Sequence, residues 1–392
     1  MQDHRAALPS VPPVLAEHSA AVVAHLVERV CAAGGAVPFS EYMQLALYAP
    51  GLGYYASGTH KFGADGDFTT APEISPLFGA VIAQQCMAVL ESLGGGIVVE
   101  YGAGTGKLAC DVLEAMIAAG APPTRYYIVE ISADLQARQQ ALIADALPDA
   151  LALVEWVEDP AVVPVDGVII GNEVIDALPV ERFRVHDDGQ IQQQVVRLDA
   201  AAPVLAWQPA SAVLVDAVQR LQSALGRTLP IGYVSELCLQ LPAWLQLVAH
   251  TLQRGVVLFS DYGYGRKDYY APDRTSGTLT CHYRHHMHDD VLFVPGGQDI
   301  TAWVDFSTVA ETLRDCGLHY LGFTTQAQFL LHGGLPQALE AAGGEDTLAL
   351  SRGVKTLTLP GEMGERFRFM GFARDCDVML SGFSGRDFGF EL

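Results

Sequence analysis

Between residues 97 and 171, short apolar segments alternate with longer amphipathic ones. Strands are predicted at 97–101, 125–131, 151–157 and 167–171, with helices over 107–119 and 134–146. The alternation resumes with a helix at 239–253, a strand at 256–261, a helix at 306–316 and a strand at 319–323. Such spacing is typical of a parallel sheet covered by helices on both faces. We therefore predict an α/β fold, with ligands bound beyond the carboxyl ends of the strands.

Three segments fall outside this alternation. Residues 1–95 form a leader with predicted helices at 14–34 and 76–93, and 96–392 form the predicted core. A β-hairpin around Asp187-Asp188-Gly189 and a helix at 210–225 predict an inserted α+β subdomain at about 180–230. Residues 262–302 are rich in Gly, His, Tyr and Asp. Because long loops in a compact fold are usually functional, we predict a lid there.

A glycine-rich turn, Glu100-Tyr101-Gly102-Ala103-Gly104-Thr105-Gly106, follows the first predicted strand and precedes a helix. Glycine permits the tight turn and the close approach of a ligand. A P-loop is excluded, because Tyr101 replaces its first glycine and Leu108 its Ser/Thr. The dinucleotide motif G-x-G-x-x-G is excluded, because Lys107 takes the place of its third glycine.

One further form of the turn is an acidic residue followed by G-x-G-x-G, as in methyltransferases. It is filled by Glu100, Gly102, Gly104 and Gly106. S-adenosyl-L-methionine (SAM) carries no phosphate, so no phosphate-binding lysine is required, and its zwitterionic methionine end can meet the glycine backbone. The turn therefore predicts SAM as the cofactor.

Two later strand ends extend the predicted cofactor site. Glu130, with its neighbour Ile131, follows the second strand, where a carboxylate can accept hydrogen bonds from both ribose hydroxyls. Asp159 follows the third strand, at the expected position of a side chain that contacts adenine. A surface Glu and a plain loop Asp are the alternatives.

The fourth strand ends in polar residues, within Asn172-Glu173-Val174-Ile175-Asp176-Ala177-Leu178-Pro179. Methyl transfer to nitrogen requires a group that orients the nucleophile and takes its proton. Glu173 and Asp176 can pair with a guanidinium group through charge-assisted hydrogen bonds. They also suit the first turn of a helix, where carboxylates are favoured. Asp261, just past the fifth strand, is a further candidate to line the substrate site.

Several motifs occur together in one order. They are Gly66-Asp67-Phe68-Thr69-Thr70-Ala71-Pro72-Glu73-Ile74-Ser75, the glycine turn, Asn172-Glu173 with Asp176-Ala177-Leu178-Pro179, Asp261-Tyr262-Gly263, and Asp299-Ile300-Thr301-Ala302 with Val304-Asp305-Phe306. In this combination, over about residues 38–310, the chain resembles the MidA family. Its mitochondrial members are protein arginine methyltransferases needed for respiratory complex I assembly.

The resemblance implies a class I SAM-dependent methyltransferase fold, Rossmann-like, with a mostly parallel seven-stranded sheet. It also implies the helical leader and the inserted subdomain. It suggests that Thr70, Pro72 and Glu73 close over the cofactor near the glycine turn, and Asn172 is assigned to the same site. Family sequences often have Ser where this chain has Ala71, so a hydroxyl contact is lost there.

The lid contains Cys281-His282-Tyr283-Arg284-His285-His286-Met287-His288-Asp289-Asp290, which is rich in metal-ligand residue types. A zinc site would need fixed spacing and a second cluster of ligands, and the chain supplies no such cluster, so no metal is expected. Tyr283 and His286 fit the family's pattern and are predicted substrate contacts. The seven cysteines are dispersed, without a C-x-x-C pair, as expected for free thiols in a reducing compartment.

Charge and hydropathy limit the classes of partner that the chain is expected to bind. The formal net charge of −22 disfavours binding to nucleic acid and attracts cationic substrates. No uninterrupted apolar run approaches 18 residues, so no membrane span is expected. The first 13 residues resemble neither a signal peptide nor a transit peptide, which favours a cytoplasmic protein.

The leading hypothesis is a SAM-dependent methyltransferase that methylates arginine of a protein, for example of a respiratory complex I subunit. Glu173 or Asp176, with Asp261, would hold the guanidinium group. Two alternatives remain open. In the first, the chain is a methyltransferase for a small molecule that the lid encloses. In the second, it is a SAM-binding assembly factor that works by docking a partner protein and transfers little methyl.

Overall fold

The computed structural model describes residues 8–57, 69–343 and 347–392, so the predicted motif residues Gly66, Asp67 and Phe68 lie outside the described residues. Its helices, in chain order, are α1 (Pro13–Ala32), α2 (Phe39–Tyr48), α3 (Ala71–Ile74), α4 (Pro76–Leu93), α5 (Lys107–Ala118), α6 (Ala133–Ala146), α7 (Ala212–Leu225), α8 (Leu241–Thr251), α9 (Arg266–Tyr269), α10 (Phe306–Asp315), α11 (Gln326–His332), α12 (Leu335–Ala341) and α13 (Thr347–Thr358). Its strands are β1 (Ala36–Pro38), β2 (Ile97–Tyr101), β3 (Tyr126–Val129), β4 (Val154–Val157), β5 (Val165–Asn172), β6 (Glu181–Val185), β7 (Ile191–Asp199), β8 (Ala202–Pro209), β9 (Val234–Leu237), β10 (Leu252–Tyr264), β11 (Thr280–Tyr283), β12 (His286–His288), β13 (Asp299–Thr301), β14 (Val304–Asp305), β15 (His319–Thr325) and β16 (Phe367–Arg374).

The chain divides into two compact units. The first comprises Met1–Phe68, Asp176–Leu241 and Arg266–Trp303, and the second comprises Thr69–Ile175, Pro242–Gly265 and Val304–Leu392. The first unit thus contains the start of the predicted leader, the predicted insertion and most of the predicted lid. The end of the leader, with α4, belongs to the second unit, because α4 packs into the same hydrophobic core as β2 and β5.

The second unit is built on an eight-stranded sheet, in which seven strands follow the order β15-β16-β10-β5-β2-β3-β4. Strands β10, β5, β2, β3 and β4 run parallel to one another, whereas β16 is antiparallel to both β10 and β15. The short strand β14 also pairs with β10. Apolar side chains of α4 and α5 share one hydrophobic core with side chains of the sheet strands. The predicted class I fold with a mostly parallel sheet is confirmed.

Helix α4 is the one described helix that is long and apolar enough to cross a membrane by length and composition alone. More than half of it, 56%, is buried inside the fold. Its buried residues include Phe78, Val81 and Ile82, which contact the sheet core. A core helix of this kind passes the same test, so the finding is weak evidence for a membrane span.

The first unit has its own antiparallel sheet. Strand β7 pairs with β8 along one edge and with β6 and β1 along the other, and β6 also pairs with β9. Strands β6 and β7 form the hairpin expected around residues 187–189. The segment predicted as a lid contains α9 and a three-stranded sheet of β12, β11 and β13. The predicted lid therefore contains short regular elements.

Candidate functional site

The glycine turn joins the end of β2 to the start of α5, at the carboxyl edge of the parallel strands. Gly102, Gly104 and Gly106 have φ angles of 62°, 54° and 89°, a left-handed region that is strained for other residues. A Cβ atom on Gly102 would lie 2.8 Å from Val174 Cγ1, and one on Gly106 would lie 3.2 Å from Gln139 Cα. Both the conformation and the space around the turn therefore require glycine.

The predicted leader motif reaches this turn. The Thr105 hydroxyl donates a hydrogen bond to Glu73 Oε1 over 2.5 Å, and the backbone N–H of Lys107 donates to Thr105 Oγ1 over 3.3 Å. Thr70 precedes α3 as its N-cap residue, and Pro72 is buried in its first turn. The structure thus brings Glu73 to the glycine turn through Thr105, whose hydroxyl the sequence analysis did not single out.

Glu100 lies inside the fold beneath the turn. Its side chain is 2% exposed, and Tyr126 Oη donates to Glu100 Oε2 over 2.6 Å. Burial raises the pKa of Glu100 from 4.5 to about 7, against the lowering effect of the Tyr126 hydrogen bond. Glu100 is therefore held by the core beneath the turn.

Glu130 occupies the end of β3, as the sequence predicts, and is held by two donors. The backbone N–H of Ser132 donates to Glu130 Oε1 over 2.9 Å, and Gln139 Nε2 donates to Glu130 Oε2 over 3.2 Å. The next residue, Ile131, is 59% exposed although it is a large apolar side chain. The two side chains together suit a nucleoside, because the apolar group can contact the base and the carboxylate can accept hydrogen bonds from the ribose hydroxyls.

Asp159 is exposed and caps a short 3₁₀ turn at residues 160–162. Its Oδ1 accepts a hydrogen bond from the backbone N–H of Ala161 over 2.9 Å. This capping bond is by itself a sufficient structural reason for an Asp at position 159. A contact with adenine remains a prediction for this residue.

Asn172 and Glu173 end β5 in a fixed arrangement. Glu173 has a φ angle of 53°, which is unusual for a residue with a side chain, and its N–H donates to Ser260 O over 2.8 Å. Its Oε1 accepts from the backbone N–H of Ala71 and from Asn172 Nδ2, both over 3.2 Å. Ser260 Oγ in turn donates to Asn172 Oδ1 over 2.5 Å. Such strain persists only where the surroundings determine it, and it concentrates at functional sites.

Asp261 supports this segment from within. Its side chain is 0% exposed, and its two oxygens accept from the backbone N–H groups of Ile175 and Tyr262, each over 2.9 Å. The carboxylate thus fixes the chain that follows Glu173. This geometry favours a positioning role for Asp261 over direct contact with a substrate.

Three predicted site residues belong to the first unit. Asp176 is 8% exposed, and its carbonyl accepts from Ala302 N over 3.0 Å. Tyr283 is 1% exposed, with its ring 5.5 Å from that of Phe293, and its hydroxyl donates to Ser10 O. His286 is exposed at the tip of the β11–β12 hairpin. Tyr283 therefore occupies a core position of its unit, and substrate contact by these three residues remains a prediction.

No group of three or more His, Cys, Asp and Glu side chains in residues 8–57, 69–343 and 347–392 is arranged to hold a metal ion. All seven cysteines are free thiols. Burial lowers the pKa of His282 to about 4 and so favours its neutral form.

The residues of the second unit fit SAM. The left-handed glycines leave backbone without side chains where a ligand can approach closely, which suits the amino-acid end of the cofactor. Glu130 offers acceptor oxygens, which suit ribose hydroxyls, and Ile131 offers apolar surface for adenine.

Comparisons with known proteins agree with this fit. Residues 81–324 match the protein family described as "Putative S-adenosyl-L-methionine-dependent methyltransferase". The solved structure of a "likely methyl transferase" from Burkholderia thailandensis, bound to S-adenosyl-homocysteine, superposes with a TM-score of 0.91 at 38% identity. The match covers 98% of this chain and 100% of that one.

Animal relatives resemble the chain over most of its length. The Drosophila melanogaster protein arginine methyltransferase NDUFAF7 homolog is 30% identical, over 86% of this chain and 81% of the relative. The Danio rerio protein arginine methyltransferase NDUFAF7 is 28% identical, over 89% and 86%. These matches confirm the resemblance drawn from the motifs. Both relatives are named as mitochondrial proteins, which contradicts the prediction of a cytoplasmic location, and that prediction is wrong on this finding.

Proposed function

The chain belongs to this family of SAM-dependent methyltransferases, and from that premise we propose that it methylates an arginine side chain of a protein. The cofactor is SAM, and the enzyme class is methyltransferase. The acceptor is the proposed part. The observation that carries it is Glu173, a carboxylate held in a strained backbone conformation at the strand edge where ligands bind.

The surroundings of Glu173 suit a guanidinium group. Ala71 N–H and Asn172 Nδ2 both donate to Oε1, which fixes the plane of the carboxylate. A carboxylate of fixed plane is the partner that a planar guanidinium recognises best. The carboxylate of Asp261 accepts hydrogen bonds from the backbone N–H groups of Ile175 and Tyr262. The backbone just after Glu173 is therefore held in place.

The reaction assigns a separate task to each group. SAM supplies an electrophilic methyl group on a sulfonium. The backbone at Gly102, Gly104 and Gly106 binds its amino-acid end, and Glu130 and Ile131 bind its nucleoside. Glu173 would orient the guanidinium nitrogen toward the methyl carbon. The new N–C bond forms as the bond from the methyl carbon to sulfur breaks and S-adenosyl-homocysteine leaves, and Glu173 would accept the proton that the nitrogen loses. Of the three candidates on the first unit, His286 is exposed and is a proposed contact for the acceptor protein, whereas Asp176 and Tyr283 are buried.

The charge of the chain supports a cationic acceptor. With a formal net charge of −22, the protein attracts basic segments and repels polyanions. The animal relatives carry the words protein arginine methyltransferase in their names, which also supports an arginine acceptor. A subunit of respiratory complex I is the acceptor that we propose to test first.

Radiolabelled transfer tests the proposal. Purified enzyme and methyl-labelled SAM are incubated with a lysate of cells that lack the gene, and labelled protein bands are digested and analysed for methylarginine by mass spectrometry. Wild type is expected to label one protein band on arginine. Glu173→Gln is expected to bind S-adenosyl-homocysteine normally and to lose at least about 100-fold in transfer, since it cannot take the proton.

Glu114→Gln is the matched control, because Glu114 is an exposed glutamate on α5. It should label as wild type does. Label in the small-molecule fraction would replace the proposal by a small-molecule methyltransferase. Binding of S-adenosyl-homocysteine without any label would indicate an assembly factor, and normal transfer by Glu173→Gln would remove the role given to that residue.

A further inference from the structure

Gln139 is a fully buried polar residue that connects two parts of the cofactor site. It lies on α6, is 0% exposed, and belongs to none of the sequence motifs. Its Nε2 donates to Gly104 O over 2.9 Å and to Glu130 Oε2 over 3.2 Å. Gly104 is the central glycine of the turn, so one side-chain amide joins the turn to the carboxylate at the end of β3.

A third contact fixes the orientation of this amide. Trp156 Nε1 donates to Gln139 Oε1 over 2.9 Å. An indole N–H can only donate, so the oxygen of the amide must face Trp156 and the nitrogen must face Gly104 and Glu130. The two hydrogens of the nitrogen then serve the two acceptors, one each.

The backbone of Gln139 lies against the same turn. A Cβ atom on Gly106 would be 3.2 Å from Gln139 Cα and 3.3 Å from its Cβ and Cγ. Helix α6 therefore touches the turn directly, and its position and that of the turn are set together. The backbone N–H of Ser132 holds the other oxygen of Glu130 over 2.9 Å.

We propose that Gln139 is a positioning residue for the cofactor, which sets the direction in which Glu130 accepts hydrogen bonds from the ribose hydroxyls. Bonds to both carboxylate oxygens fix the plane of the group before the ligand arrives. Preorganisation of this kind increases affinity because less ordering remains to be done on binding. The inference rests on the proposed ribose contact of Glu130, and it is independent of the acceptor.

The ribose contact makes the proposal testable by ligand selectivity. Calorimetry compares the binding of S-adenosyl-homocysteine with that of its 2′-deoxy counterpart, which lacks one hydroxyl. Gln139→Leu removes all three hydrogen bonds at similar side-chain size. We expect it to weaken S-adenosyl-homocysteine binding about tenfold and the deoxy ligand less, so that the preference for the hydroxyl falls toward one.

Gln140→Leu is the matched control, because Gln140 is the exposed neighbour on the same helix. It should bind both ligands as wild type does. Trp156→Phe leaves Gln139 in place but removes the donor that orients the amide, so it should shift selectivity in the same direction by a smaller factor. If Gln139→Leu does not fold, the selectivity of Trp156→Phe tests the proposal in its place.

Three outcomes overturn the proposal. Equal weakening of both ligands by Gln139→Leu would make Gln139 a packing residue only. Unchanged binding in both Gln139→Leu and Trp156→Phe would make the network irrelevant to the cofactor. Unchanged selectivity in Glu130→Gln would remove the ribose contact on which the proposal rests. None of these results touches the arginine acceptor, which the methyl-transfer assay tests separately.

Discussion

Replacing Glu100 by Gln should change how the stability of the enzyme depends on pH. Glu100 is buried beneath the glycine turn, and burial raises its pKa from 4.5 to about 7. The folded protein thus keeps a proton that the unfolded chain releases over this range. Because the unfolded state binds fewer protons, the free energy of unfolding falls as pH rises from about 4.5 to about 7.

The size of the effect follows from the two pKa values. A difference of one pKa unit corresponds to about 1.4 kcal/mol, so the difference between 4.5 and about 7 corresponds to about 3 kcal/mol. This contribution is present in full below about pH 4.5 and lost above about pH 7. Gln cannot ionise but still offers an oxygen to Tyr126, so the variant should lack this part of the pH dependence.

Urea unfolding of wild type and Glu100→Gln across this pH range measures the difference in slope. The variant should gain stability relative to wild type as pH rises, by about 3 kcal/mol in total. Glu91→Gln, at an exposed glutamate of α4, is the control and should run parallel to wild type. Tyr126→Phe removes the donor that stabilises the ionised form, so it should move the transition to higher pH. Parallel profiles for wild type and Glu100→Gln would refute the raised pKa.

Three further changes test the site. Gly106→Ala should weaken S-adenosyl-homocysteine binding at least about tenfold in calorimetry, since φ is 89° and the new Cβ would lie 3.2 Å from Gln139 Cα. Unchanged affinity would contradict cofactor binding by the glycine turn. Thr105→Val should weaken the same binding about tenfold by removing the donor to Glu73, and Thr105→Ser should restore it; a serine variant as weak as valine would argue against the hydrogen bond. Asp261→Asn should lower the free energy of unfolding by about 2 kcal/mol, since an amide cannot accept from both Ile175 N–H and Tyr262 N–H; equal urea midpoints would show that the carboxylate is dispensable.

Local patterns predicted the elements that carry the cofactor. The strand at 97–101 lies where the apolar run placed it, and the glycine turn has the backbone conformation that only glycine adopts readily. Both are set by neighbours in sequence, either by strand periodicity or by steric freedom at one residue. The hairpin around Asp188 was visible for the same reason.

Contacts between distant residues were not predictable in this way. Strand β16 was missed because Arg368 and Gly371 interrupt its apolar run, although the strand is buried between β10 and β15. Gln139 is an ordinary polar residue in the helical pattern, and only the fold brings it to Gly104, 35 positions away in the chain. Tyr283 was predicted as a substrate contact because it fits the family's pattern, and the fold buries its side chain.

The two kinds of carboxylate in the second unit explain how one sheet edge can serve two ligands. Glu130 accepts hydrogen bonds from Ser132 and Gln139 at the end of β3, whereas Glu173 has a strained backbone at the end of β5, with β2 between the two strands. The short helix α3 contacts both regions, since Glu73 accepts from Thr105 in the glycine turn and Ala71 N–H donates to Glu173. Helix α3 therefore joins the glycine turn to the proposed acceptor carboxylate through Thr105, Glu73 and Ala71, so the two regions share one support.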